Sequence, residues 1–102
     1  MASKGIARGS GTDTVSTGHS CDATTTTDQC SEDVFVNGYG VCRKGDKIKE
    51  HKQPVGDSCV NHTVAILAGS STVFANGIAI SRDTDSVDLG NISSGSTDTF
   101  SG

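Results

Sequence analysis

The sequence predicts an all-β fold built from short hairpin repeats, and three observations carry that expectation. Its 102 residues include 14 Ser, 12 Thr and 13 Gly, the composition of a chain dense in turns. Val and Ile together occur 15 times and Leu only twice, a ratio that suits strands and argues against a helical bundle. The third observation is internal repetition. Residues 34–46 read Val-Phe-Val-Asn-Gly-Tyr-Gly-Val-Cys-Arg-Lys-Gly-Asp, and residues 73–85 read Val-Phe-Ala-Asn-Gly-Ile-Ala-Ile-Ser-Arg-Asp-Thr-Asp, with six of thirteen positions identical at an offset of 39.

Each copy has the pattern of a hairpin. Val34-Phe35-Val36 and Val73-Phe74-Ala75 form the outgoing strands, and Asn37-Gly38 and Asn76-Gly77 the turns, because a type I′ turn needs positive φ at both central positions. Tyr39 to Cys42 and Ile78 to Ser81 return, and Asp46 and Asp85 close each unit. Upstream, Ser31 matches Ser70. A third, truncated copy sets Gly95-Ser96-Thr97-Asp98-Thr99-Phe100 against Gly69-Ser70-Ser71-Thr72-Val73-Phe74 at an offset of 26, which Ile66 and Ile92 share. Ile6-Ala7-Arg8 reads as the tail of a further unit. The chain is thus expected to be one domain over 1–102, with repeats at about 30–46, 69–85 and 95–100 and an N-terminal partial unit at about 6–19. No window carries an apolar period of 3.6 residues, so little or no helix is expected. The polar Thr24 to Thr27 run reads as an exposed strand or loop.

Composition narrows the function. Eight basic residues against 12 acidic give a net charge of −4, and no basic cluster exceeds Arg43-Lys44 or Lys47-Ile48-Lys49, which excludes a nucleic-acid footprint. The longest apolar run, Val64 to Ala68, is far shorter than the roughly 20 residues of a membrane span. Met1 to Gly5 lacks the apolar stretch of a secretory signal, so synthesis in the cytoplasm is expected and four Cys need not mean two disulfides. With 32% hydrophobic residues the core is thin, and disulfides, a metal or a partner chain must help.

The candidate ligands lie between the repeat strands. His19-Ser20-Cys21 and Cys59-Val60-Asn61-His62 have short ligand spacings, and His51 follows Glu50. Imidazole and thiolate are the donors of a tetrahedral zinc site. His62 precedes Ile66 by four residues and Asp88 precedes Ile92 by four, so the two occupy one slot of successive units, where a pseudo-symmetric β-structure converges on its axis. The competing reading pairs Cys21, Cys30, Cys42 and Cys59 in two disulfides without a metal. No Gly-x-Ser-x-Gly elbow accompanies the histidines, and Glu50 in its Lys-rich turn reads as solvated, not as a general base.

These residues resemble the PAAR-repeat family, the small conical proteins at the tips of membrane-piercing spikes of contractile-tailed phages and type VI secretion systems. The resemblance runs from about Ile6 to Gly102. It rests on Gly18-His19, on the hairpins Ser31 to Gly38 and Gly69 to Gly77, on Arg43-Lys44-Gly45-Asp46, and on the loops bearing His51 and His62. The naming Pro-Ala-Ala-Arg segment is degenerate here, reading Gly40-Val41-Cys42-Arg43 and Ala79-Ile80-Ser81-Arg82, with only the Arg in place. In the family three His and one Cys hold an ion, typically zinc, near the point. The resemblance therefore implies His19, His51 and His62 as ligands of one structural zinc, or else iron. Asp88 stands where the family has its Cys; Cys59, a softer zinc donor than a carboxylate, is the favoured fourth ligand and Asp88 the alternative.

The resemblance further implies a three-fold pseudo-symmetric cone with the metal at its apex. Its base would cap a trimeric β-helical spike through Val34, Phe35, Val73 and Phe74, in a virion tail baseplate or a similar injection machine, meeting the host envelope only in passing. The function would be mechanical, with no small-molecule substrate. Two alternatives are a secretion tip that carries an effector non-covalently and a small zinc metalloenzyme.

Overall fold

The computed structural model describes residues 3–102. Twelve short strands carry the chain: β1 (Lys4–Gly5), β2 (Thr14–Ser16), β3 (Thr24–Thr26), β4 (Phe35–Val36), β5 (Tyr39–Gly40), β6 (His51–Val55), β7 (Ser58–His62), β8 (Phe74–Ala75), β9 (Ile78–Ala79), β10 (Ser86–Val87), β11 (Gly90–Ile92) and β12 (Phe100–Ser101). There is no helix among the described residues, and hence none long and apolar enough to cross a membrane. The all-β expectation holds.

The two Asn-Gly hairpins form where the sequence places them, as β4–β5 and β8–β9. Their turns have φ of 55° at Asn37, 82° at Gly38, 56° at Asn76 and 75° at Gly77, the left-handed conformations a type I′ turn demands. The third repeat is completed by the other end of the chain: β12 pairs antiparallel with β1, Gly5 opposite Phe100 and Lys4 opposite Ser101. The three outgoing strands are prepared alike. Ser31, Ser70 and Ser96 are buried, and each hydroxyl accepts backbone N–H bonds from the residues two and three positions ahead.

Beyond each hairpin the return strand leaves its partner and pairs with the next unit. The peptide N–H of Ala7 donates to the Ser81 carbonyl, Ser81 to Cys42, and Cys42 back to Ala7, at 2.9–3.0 Å. The bonds form a closed ring, and all three residues are fully buried. Three separate antiparallel pairings lie one step further along: Thr27 with Ile48, Ile66 with Val87, and Ile92 with Val15. The core divides along the same lines. Ile6, Val36, Val41, Ala75 and Ile80 form one cluster, flanked by Val34 and Val73. Ala7, Val15, Cys42, Ile48, Ile66, Val87 and Ile92 form the other. Neighbouring residues such as Ile6 and Ala7, or Val41 and Cys42, divide between the two because successive strand side chains alternate.

The repeated Arg and Asp that punctuate the sequence are ion pairs. Arg8 with Asp13, Arg43 with Asp46 and Arg82 with Asp85 each make a two-pronged contact, one carboxylate oxygen also accepting the arginine's own backbone N–H. Arg8 and Arg43 reach further, to the side-chain oxygens of Asn37 and Asn76. Each Asn thus ties a hairpin turn to its neighbours, a role beyond turn geometry.

Candidate metal centre

Three segments converge on one point. The first is the loop after β2. Thr17 is buried, its N–H donates to the Ala23 carbonyl and its hydroxyl donates to the Asp22 carbonyl at 2.8 Å, which folds residues 17–23 into a tight loop around His19. Gly18, at φ 82°, lies so close to the Leu89 backbone that a side chain there would collide with it.

The second segment is the β6–β7 hairpin, which places His51 directly opposite His62 in register. Opposed residues of an antiparallel pair project from the same face, so the pairing brings both imidazoles together. The hairpin turns at Gly56-Asp57, with Gly56 at φ 59°. The third segment is the turn between β10 and β11. Asp88 occupies its first central position at φ 57°, and the Leu89 N–H donates to the Thr17 carbonyl, tying this turn to the His19 loop.

The donor atoms of His19, His51, His62 and Asp88 all lie within 4.8 Å of one another. Asp88 Oδ2 is 3.0 Å from His19 Nε2, 2.8 Å from His51 Nε2 and 3.1 Å from His62 Nε2, and the Nε2 atoms of His51 and His62 are 2.8 Å apart. The side chains of His19, His51 and Asp88 are almost wholly buried, and that of His62 is 15% exposed.

The far ring nitrogens decide what this cluster can hold. His51 Nδ1 is 2.9 Å from the Lys49 carbonyl, and His19 Nδ1 is 2.5 Å from the Cys21 carbonyl. A carbonyl can only accept, so each Nδ1 carries a hydrogen, and in the neutral ring Nε2 is left as a lone pair. Two such lone pairs face the Asp88 carboxylate, itself an acceptor. A cation among them removes the conflict, and a ring whose Nδ1–H is held by a backbone carbonyl is oriented to present its Nε2 to a metal. A tetrahedral ion bonded at about 2.0–2.1 Å suits donors this closely gathered, and three imidazoles with one carboxylate suit zinc or iron.

Of the residues anticipated from sequence, His19, His51 and His62 are brought together and Cys59 is not. Cys59 is corrected as a ligand: its sulfur is bonded to that of Cys21. Strand alternation is the physical reason. Cys59 is three residues from His62 on β7, so its side chain projects from the opposite face of the ribbon. Asp88, the alternative, takes the place. The pairing into two disulfides does not occur, since Cys30 and Cys42 are free thiols; burial, then the nearby Asp46, pushes the Cys42 thiol far up, so it stays protonated and behaves as a small apolar side chain. Glu50 is exposed. Val34 and Val73 are half-buried against the core, while Phe35 and Phe74 are exposed, as is Phe100 in the equivalent strand. The sequence reading passed over the β6–β7 hairpin itself. Its signal was present in Val55-Gly56-Asp57-Ser58, a two-residue turn from which His51 and His62 stand equally far.

No family model matches the chain, and no curated protein sequence matches it.

Proposed function

We propose that this protein is a metal-stiffened spike tip of the PAAR-repeat kind: a pseudo-three-fold cone that caps a trimeric β-helical spike of a contractile injection machine. The observation that carries the reading is the closed hydrogen-bond ring of Ala7, Cys42 and Ser81, with three Ser-primed strands around it. A single chain arranged in this way offers three similar hairpins to a three-chain partner. Phe35, Phe74 and Phe100 support the same reading, since they occupy corresponding strand positions and are 58%, 57% and 54% exposed. Aromatic side chains left in water at three matching positions are best explained by a partner that covers them.

On this reading the hairpins form the base, and the His19, His51, His62 and Asp88 centre is the apex. The ion is structural, zinc before iron, because four protein donors fill a tetrahedral shell and leave no position for substrate. We therefore assign a mechanical role and no catalytic turnover, with assembly into a phage tail baseplate or a secretion spike. The ion would bind three loops that the thin core does not hold, where a structural zinc contributes roughly 10–16 kcal/mol in small domains.

Co-expression with a trimeric β-helical spike protein tests the reading. A stable complex of one chain per spike trimer is expected, and Phe35→Asp, Phe74→Asp and Phe100→Asp together should abolish it without loss of the folded state. A chain that remains monomeric and soluble at high concentration and binds no such spike would overturn it.

A further inference from the structure

The Cys21–Cys59 disulfide joins two of the three segments that meet at the metal centre. Cys21 lies two residues from His19, in the loop closed by Thr17 and Asp22, and Cys59 lies on the ribbon strand that ends at His62. The Cys21 carbonyl is itself the anchor of His19 Nδ1. The β6–β7 ribbon has little else to hold it. Between Lys52 and Asn61 no residue is buried, and Val55 and Val60 are 52% and 45% exposed. Its root has one further tie to the loop, the Lys52 N–H donating to Asp22 Oδ2 at 2.8 Å.

We propose that the Cys21–Cys59 pair is a redox-operated clasp on the metal centre: the disulfide slows loss of the ion, and its reduction releases the ribbon and lets the ion exchange. The inference rests on the reading of His19, His51, His62 and Asp88 as a metal centre. Its physical basis is shared ordering. Either cross-link fixes the ribbon against the His19 loop, so the second forms between segments already ordered by the first, and the coupling is reciprocal. Closing the clasp requires a disulfide oxidant, small-molecule or protein. Cys59, the exposed sulfur, attacks the oxidant and expels one thiol; Cys21, half-buried, then attacks the mixed disulfide and expels the second. Two thiols become one disulfide, and the oxidant is reduced to two thiols that take up the two protons. In a reducing compartment the clasp stands open, and on passage to an oxidising one it closes.

The test uses the full chain loaded with zinc and compares oxidised protein, protein reduced with a phosphine, and the Cys21→Ser/Cys59→Ser variant. Zinc release is followed with a chromogenic chelator in excess. The oxidised protein should release zinc about ten-fold more slowly than the reduced protein, within the usual range of site-to-site coupling. The double variant should release at the reduced rate in either buffer. Should that variant fail to fold, the reduced wild type supplies the same comparison. In the reciprocal experiment, zinc should raise the ratio of reduced to oxidised glutathione needed to open the disulfide, read by thiol alkylation and mass spectrometry. Equal release from all three forms, or slower release on reduction, overturns the clasp while leaving the metal centre standing. Failure of the oxidised wild type to bind zinc overturns the metal reading itself.

Discussion

Asp88 shows how much one carboxylate carries. It meets three imidazole nitrogens through a single oxygen, and its left-handed backbone is set by a two-residue turn. Asp88→Ala and His51→Ala should each abolish stoichiometric zinc binding, read by native mass spectrometry, whereas His51→Ala alone also leaves the Lys49 carbonyl without its ring partner. Asp13 is the second pivotal carboxylate. Burial pushes its carboxyl upward, but bonds from the Arg8 side chain and backbone and from Ser94 prevail and hold it below the usual 3.8. A depressed folded-state pKa contributes stability that is complete above the unfolded value and lost as pH falls through the folded one. Thermal stability should therefore decline below about pH 4. Asp13→Asn should lower stability by about 2 kcal/mol at neutral pH, since the Arg8 guanidinium loses its charged partner and keeps the Asn37 oxygen, and should flatten that acid decline. A melting-temperature series across pH reads both effects.

At the scale of elements, the hairpins separate two kinds of glycine. Gly38 sits at φ 82° with open space around its α-carbon, so Gly38→Ala brings backbone strain alone, about 1–2 kcal/mol. Gly40 has no left-handed backbone, but a methyl group there runs into the Ser31 carbonyl and the Cys30 side chain. Gly40→Ala should destabilise more than Gly38→Ala in urea denaturation, because it must move the backbone at Ser31, in the segment leading into β4. The hairpins were legible because Asn-Gly between apolar strands is a local signal, and Val34 to Gly38 and Val73 to Gly77 both carry it. The β6–β7 ribbon was not read, because its strands are polar, exposed and interrupted by Pro54, and the pattern of apolar alternation is absent. The His19, His51, His62 and Asp88 cluster shows the same division. The three histidines were found by residue type and resemblance, and Asp88 by its repeat slot. Cys59 was favoured on the softness of sulfur, a preference that takes no account of which face of a strand a side chain occupies.

Across the whole molecule, the three units are not consecutive in the usual sense. Ile6-Ala7-Arg8 was legible as a stray tail, yet no local pattern indicates that residues near 100 would supply its partner strand; that pairing is a property of closure. The Ala7, Cys42 and Ser81 ring demands it, since Ala7 must receive the Cys42 N–H and give its own to the Ser81 carbonyl for both partners to be satisfied. The ends therefore meet at one corner, Lys4 opposite Ser101. Load applied there acts very differently from load spread over the three hairpins. Drawn apart by its ends, the chain unzips the β1–β12 ladder one bond at a time, and β1 then draws Ala7 out of its ring. Pressed over the β4–β5 and β8–β9 hairpins and the β1–β12 pair together, the ring shares the load. An optical-tweezers measurement gripping both ends should record rupture at low force, and joining residues 3 and 102 through an Asn-Gly linker, with new ends opened at Gly56-Asp57, should raise it. The direction of pull, more than the number of bonds, sets the mechanical strength of this protein.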